Sequence, residues 1–254
     1  INSASDDAAG LAISSRMTSQ VNGLDMAVRN ANDAISLLQT ADGAIGEMST
    51  MLQRMRELAV QAASGTYSST DQTAMDTEFD ALEAEIERIA NNTEWNGTAL
   101  LSGASAFSFQ IGANASQTIS VTIKDFNTGN GSASSGVFEN LTSATTYADE
   151  TTAGTDLATL DISSSATHSN TITRLSNAIT RVDAQRATLG ATINRLEYAA
   201  DNLSNVSQNT SASRSRVLDT DYALETTELA KTQIIQQAAT AMLSQANQQA
   251  QTVL

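Results

Sequence analysis

The stretch ITRLSNAITRVDAQRATLGATINRLEYAADNL, residues 172–203, decides the fold. Ile172, Leu175, Ile179, Val182, Arg186, Leu189, Ile193, Leu196, Ala200 and Leu203 recur at alternating steps of three and four. That spacing puts them on one stripe of an α-helix and makes an a/d seam, with Arg186 its only polar member. A helix over 169–213 would run roughly 68 Å at about 1.5 Å per residue. So long a helix with one apolar seam needs partner helices along its length.

The first third of the chain supplies them. Ile45, Met48, Leu52, Met55, Ala59 and Ala62 keep the same alternation, and Met75, Phe79, Leu82, Ile86 and Ile89 repeat it after the turn-like SGTYSS at 64–69. The spacing predicts a helical hairpin over 5–63 and 70–91, with Thr70 or Asp71 capping the second helix. Gly10, Gly23, Gly43 and Gly46 argue against an unbroken first helix, since each costs about 1 kcal/mol relative to alanine in a helix interior. Asp6 and Asp7 place negative charge where that helix begins. Leu52, Met55, Phe79, Ile86, Leu189 and Leu196 are the expected core seam.

Between the helical ends the period changes. Asn96-Gly97 marks a turn, and 107–112 and 118–123 alternate around Gly112-Ala113-Asn114-Ala115, which reads as a β-hairpin. From 128 to about 167 the chain is rich in Ser, Thr, Gly and Ala, and no Lys or Arg occurs between Lys124 and Arg174. This predicts a small, exposed insert, with one or two strands allowed by the weak alternation at 159–162. From 217 to 254 a further helix is expected. Its apolar residues include Leu229, Ile234, Ile235, Ala238, Met242 and Leu243, and its polar residues are mostly Gln, with little charge after Lys231. A helix so poor in charge packs against other protein.

The expected fold is therefore mainly α: a long antiparallel helical bundle or coiled-coil rod built from both chain ends, with a β-hairpin and a small β-containing insert in the middle. Composition agrees. The chain has no Pro and 4% aromatics, which permits long helices and disfavours one thick globular core. A formal charge of −15 has the wrong sign for a nucleic-acid binder. Cys is absent, which excludes disulfides and thiolate metal sites. No apolar run reaches membrane-spanning length, so no membrane insertion is expected. His168 is the only histidine. With no nucleophile elbow and no HExxH motif near it, it reads as an exposed loop residue. Neither an enzyme nor a cofactor site is expected.

Several ordered motifs resemble the bacterial flagellins: INSASDDAAG at 1–10, TADGA at 40–44, LQRMRELAVQ at 52–61, NGT at 96–98 followed by Leu100-Leu101, FQIG at 109–112, SRSRVLDTDYA at 213–223, IIQQA at 234–238 and ANQ at 246–248. The resemblance covers roughly 1–125 and 168–254, and 126–167 matches no named segment, as befits that family's variable outer region. It implies a helical conserved part at 1–99, a core β-hairpin at 100–125, a variable solvent-exposed insert at 126–167, a long core helix at 168–213 and an inner-tube helix at 214–254. It also implies an inner helix before Ile1, with which the C-terminal helix pairs in the filament's inner tube.

The implied function is that of a secreted, extracellular filament subunit of the bacterial flagellum, serving swimming motility. Its implied partners are other subunits in a helical homopolymer, an export chaperone on the C-terminal helix, and cap and junction proteins. Polymerisation is expected to depend on Ile234, Ile235, Met242 and Leu243. Recognition by an animal Toll-like receptor maps by motif onto Arg54, Leu58 and Glu78, and Arg54 and Leu58, four apart, share a helix face. Two other readings stand beside this one: a hook–filament junction protein, and a filament subunit whose insert is an adhesin or saccharide-binding module. For the latter the insert offers only Phe138 and Tyr147 for stacking on a sugar.

Overall fold

A computed structural model describes residue 3 and residues 7–128, 136–138, 141, 156–164, 167–219 and 222–251. The chain divides into two compact units, Ile1–Asn22 with Val206–Leu254, and Gly23–Asn205.

Helix α1 (Ala8–Ala62) is one uninterrupted helix of 55 residues. Asp7 caps it, its Oδ1 accepting the Ala9 N–H at 2.9 Å. Its glycines do not break it, because the buried seam is longer than the one read from the sequence. Leu24, Ala27, Ala31, Ala34, Leu38 and Ala41 continue the alternation from Ile45 back toward the N-terminus, all buried. The apolar area this seam buries outweighs the glycine cost. Gly23 is itself needed for a close approach: a Cβ there would lie 3.0 Å from the Ala113 Cβ.

Helix α2 (Ser69–Asn92) begins one residue earlier than the pattern predicted, and neither Thr70 nor Asp71 is its cap residue. Ser68 is the N-cap; it accepts the Asp71 N–H, and the Asp71 carboxylate accepts the Ser68 N–H at 3.0 Å. This reciprocal capping box satisfies two otherwise unpaired amides. Phe79, Ile86 and Ala90 are the buried face of α2.

Strands β1 (Glu94–Trp95) and β2 (Thr98–Ala99) form a two-residue hairpin. Its turn residues Asn96 and Gly97 both have positive φ, 49° and 77°, as a type I′ turn requires. Strands β3 (Ser105–Gln110) and β4 (Thr118–Ile123) form the second antiparallel hairpin, in register from Ser105↔Ile123 to Gln110↔Thr118. Ile119, Val121 and Ile123 point into the core.

Helix α3 (His168–Leu218) is longer than predicted by five residues at its C-terminal end. Within Gly23–Asn205 it runs antiparallel to α1: Arg186 Nε donates to Asp42 Oδ1 at 2.9 Å and Arg56 Nε to Ser176 Oγ at 3.0 Å. The buried axis of α3 differs from the predicted stripe. Leu175, Val182, Leu189 and Leu196 are fully buried, but Ile172, Ile179, Arg186 and Ile193 are half-buried, and Thr171, Ala178, Gln185 and Thr192 are buried in their place. The cause is the layer on that flank. Gln185 Nε2 donates to the Thr122 carbonyl at 3.1 Å, and Thr171 Oγ1 to the Asp161 carbonyl at 3.1 Å. Paired polar groups can be buried at little cost.

The described part of the insert also departs from expectation. Phe126, Val137, Phe138, Leu141, Leu157 and Ile162 are fully buried and Leu160 nearly so. Phe138 packs edge-on against Phe126 with centroids 5.7 Å apart. Among the described residues no strand forms at 159–162, where the alternation allowed one or two, and a 3₁₀ turn spans Leu157–Thr159. These apolar residues are too sparse to show a period, yet they close the core beside Leu100 and Leu101. His168 is not an exposed loop residue: it is the first residue of α3, 4% exposed, with Nε2 2.8 Å from the Ile162 carbonyl oxygen.

In the unit Ile1–Asn22 with Val206–Leu254, Ser14 and Ser207 are buried and Arg214 Nη1 lies 3.4 Å from Thr18 Oγ1. Helix α4 (Tyr222–Gln251) is the last element of the chain.

Candidate assembly surface

Nothing in the sequence of α4 stops it from being a helix: it lacks Gly and Pro, and Glu225 sits in its first turn, where negative charge suits the helix dipole. Glu228 and Lys231 pair at 3.2 Å on its surface, and no Asp, Glu, Lys or Arg follows Lys231. Every described side chain of α4, from Tyr222 to Ala246, is exposed.

That exposure includes large apolar groups. Tyr222, Leu224, Leu229, Ile234, Ile235, Met242 and Leu243 all stand in solvent. At about 100° per residue, Leu224, Ile235 and Met242 fall on one line along the helix, while Ile234, Leu229 and Leu243 lie well to either side. A helix that is apolar on several sides is a helix meant to be surrounded. Monomeric proteins rarely expose a contiguous patch of this kind, and no described side chain of α4 is buried within its own unit. Of these residues, Tyr222 and Leu224 escaped the sequence reading, because they sit beside the helix start rather than in the apolar run at 234–243.

Arg54 and Glu78 meet across α1 and α2. Arg54 Nε donates to Glu78 Oε1 at 2.9 Å and its Nη1 to Glu57 Oε2 at 3.1 Å. Hydrogen bonds to Glu78 and Glu57 raise the guanidinium's pKa above its ordinary value. Both partners of the pair are about half exposed. Leu58 is not beside them on the surface: it is 2% exposed and belongs to the core. The four-residue spacing that put Leu58 on the face of Arg54 also brings it to the edge of the seam, where it joins the core. Leu52, Met55, Phe79, Ile86, Leu189 and Leu196 are all buried.

Sequence reasoning noticed Arg186 but not its partner. Asp42 binds it from a helical turn next to Gly46, where a Cβ would come within 3.9 Å of the guanidinium. The described aromatics of the insert, Phe126 and Phe138, are both in the core; Tyr147 lies outside the described residues. Among the described residues no three His, Asp or Glu side chains are grouped to hold a metal ion, and no helix is long and apolar enough to cross a membrane.

Comparison with known proteins agrees with this architecture. The bacterial flagellin N-terminal helical region matches residues 1–106, and the bacterial flagellin C-terminal helical region matches residues 172–254. The chain is 43% identical to a flagellin of Bacillus subtilis, over all of this chain and 87% of that protein. It is 42% identical to a flagellin of Halalkalibacterium halodurans, over all of this chain and 86% of that one. Among solved structures, the crystal structure of Bacillus cereus flagellin matches with a TM-score of 0.51 at 33% identity, covering 69% of this chain and 88% of that one. A putative flagellar hook-associated protein from Vibrio parahaemolyticus matches with a TM-score of 0.62 at 14% identity, covering 84% of this chain and all of that one. At that identity the likeness is one of fold alone.

Proposed function

The chain belongs to the bacterial flagellins, the structural subunits of the flagellar filament, and from that premise we propose that α4 is the element through which it joins the polymer. The observation that carries this is the exposure of every described side chain of a helix that has apolar residues on several sides and no charge after Lys231. Burying such a helix among neighbouring copies removes its apolar area from water, and identical head-to-tail contacts that do not close generate a helical filament. Before assembly the same residues need cover, which a flagellar export chaperone would supply, and the assembled filament would serve swimming. A putative flagellar hook-associated protein of Vibrio parahaemolyticus has a similar fold, which supports the junction-protein reading less than the identity over the full chain supports the flagellins.

The test is seeded growth. Purified subunit is added to short filament seeds and followed by negative-stain electron microscopy. A filament subunit lengthens the seeds and regrows after heat depolymerisation. A junction protein caps them, and seeds that stay short would overturn the reading.

A second reading is supported by the half-exposed Arg54–Glu78 pair. We propose that this pair, with Leu58 supporting the backbone from below, is the surface an animal Toll-like receptor would contact, an Arg being a frequent anchor of such interfaces. Arg54→Ala should lower the response of receptor-bearing reporter cells while leaving the melting curve unchanged. An unchanged response would remove Arg54 from the contact.

A further inference from the structure

Helix α3 carries a second line of residues on the side away from the core. Ala187, Ala191, Asn194, Tyr198, Asn202 and Asn205 follow one another at steps of three and four, the alternation of a packing seam. At about 100° per residue they stay within about 40° of Tyr198. That places them roughly opposite Val182, Leu189 and Leu196, which are fully buried. All six residues of the outer line are exposed.

A solvated helix face does not call for these residues. Asn and Tyr form helices less readily than the Lys, Glu, Gln and Arg that suit an exposed surface. The exposed surfaces of α1 and α2 do carry charge in pairs: Arg54 with Glu57 at 3.1 Å, and Arg88 with Glu85 at 2.6 Å. The outer line of α3 carries none, in a protein of net charge −15. Arg195, Glu197 and Asp201 flank it, about 60–100° from Tyr198. Tyr198 is 77% exposed, the most exposed of the large apolar side chains described in Gly23–Asn205. An uncharged centre holding an aromatic ring, with charged side chains at its rim, is the anatomy of a protein interface.

Charge selects the occupant. A basic partner would be drawn to the acidic side chains, not to the lane that lacks them, and a strongly acidic one would be repelled. A second copy of this chain carries the same −15, so copies meet with least repulsion across a neutral face. We propose that the 187–205 face of α3 is a side-by-side contact in which a neighbouring copy covers Tyr198 and the three asparagines. This contact presupposes the filament subunit proposed above, for a reason of area. The face is about 27 Å long at 1.5 Å per residue and about 10 Å wide, or about 300 Å². A stable complex buries roughly 800 Å² on each partner. The face is therefore too small to hold two copies together by itself, and it adds to the contact that α4 makes. Its amides and hydroxyl supply directional hydrogen bonds, which fix how neighbours align.

The chain has no cysteine, so Asn194→Cys places a single thiol on the face. In the soluble chain that thiol should react freely with a maleimide. In polymer grown on seeds and collected by sedimentation it should lose that reactivity. Ser204→Cys, exposed on α3 but about 120° from Tyr198, should keep it. Asn194→Glu sets an acid against an acidic neighbour and should raise the concentration of subunit left unsedimented about tenfold or more. Ser204→Glu should leave that concentration unchanged, and neither substitution should move the melting curve of the soluble chain. A polymer whose Asn194→Cys thiol stays reactive, or equal effects at 194 and 204, would overturn this contact and leave the role of α4 standing. Wild-type protein that does not lengthen seeds would overturn both.

Discussion

Replacing Ile234 and Ile235 together by Ser isolates the contribution of α4 to assembly. The two side chains are 65% and 56% exposed in the single chain. Fully burying an isoleucine contributes about 1.5–3 kcal/mol, so roughly 60% of that, or about 1–2 kcal/mol per residue, remains to be gained when neighbours cover them. The pair therefore contributes about 2–4 kcal/mol per subunit added, and at 1.4 kcal/mol per tenfold its loss should raise the critical concentration for polymerisation about 30- to 700-fold. The assay is seeded growth followed by sedimentation, in which the plateau of unsedimented subunit is the critical concentration. Because the substitutions touch exposed positions, the monomer's stability should change by less than about 0.5 kcal/mol. An unchanged critical concentration would refute the reasoning. So would a monomer destabilised by as much as the polymer, since it would place these residues in the chain's own core.

Three other outcomes are expected. Leu52→Ala, at a position with no exposure, should cost about 2–5 kcal/mol in chemical denaturation; a loss under about 1 kcal/mol would mean the seam repacks around it. Gly97→Ala forces an alanine to a φ of 77° and should cost about 1 kcal/mol or more through left-handed backbone strain, visible as a lower thermal midpoint; no change would show that the type I′ turn can be exchanged for another. Burial works against the Glu87 carboxylate, but hydrogen bonds from Thr128 and Asn91 outweigh it and lower the pKa, so its contribution is present above the unfolded glutamate value and disappears as pH falls through the folded one. Glu87→Gln should then flatten the acid side of the stability–pH curve, and a curve parallel to wild type would remove Glu87 from that dependence.

How much was legible depended on how strongly each residue signals its environment. The seams at 45–62 and 172–203 were readable because Leu, Ile and Met stand out against a polar background. The extension of the α1 seam from Leu24 to Ala41 was not, since alanine is common on both buried and exposed helix faces. Asp71 drew attention as a cap, yet the capping box needs both Ser68 and Asp71, and the hydroxyl of Ser68 supplies the terminal position. His168 looked exposed because its neighbours are Ser, Thr and Asn; its burial comes from Ile162 folding back over the start of α3. Leu58 shared a helix face with Arg54 in sequence but not a degree of exposure, which depends on how the core packs around it.

Residue spacing alone required that this chain make long helices joined through a β-hairpin, and that its last helix be too apolar to stand alone. Periodicity and charge are local properties, repeated every few residues, and they survive without knowledge of neighbours. Tertiary contacts were needed to settle which flank of α3 is buried, that Phe126, Phe138 and Ile162 close the core, and that Glu87 accepts from Thr128 and Asp76 from Ile162. Those facts arise from contacts between residues far apart in the chain. A buried Gln185, or a carboxylate such as Glu87 that accepts from Thr128, is stable because a distant partner satisfies it, and no local pattern names that partner.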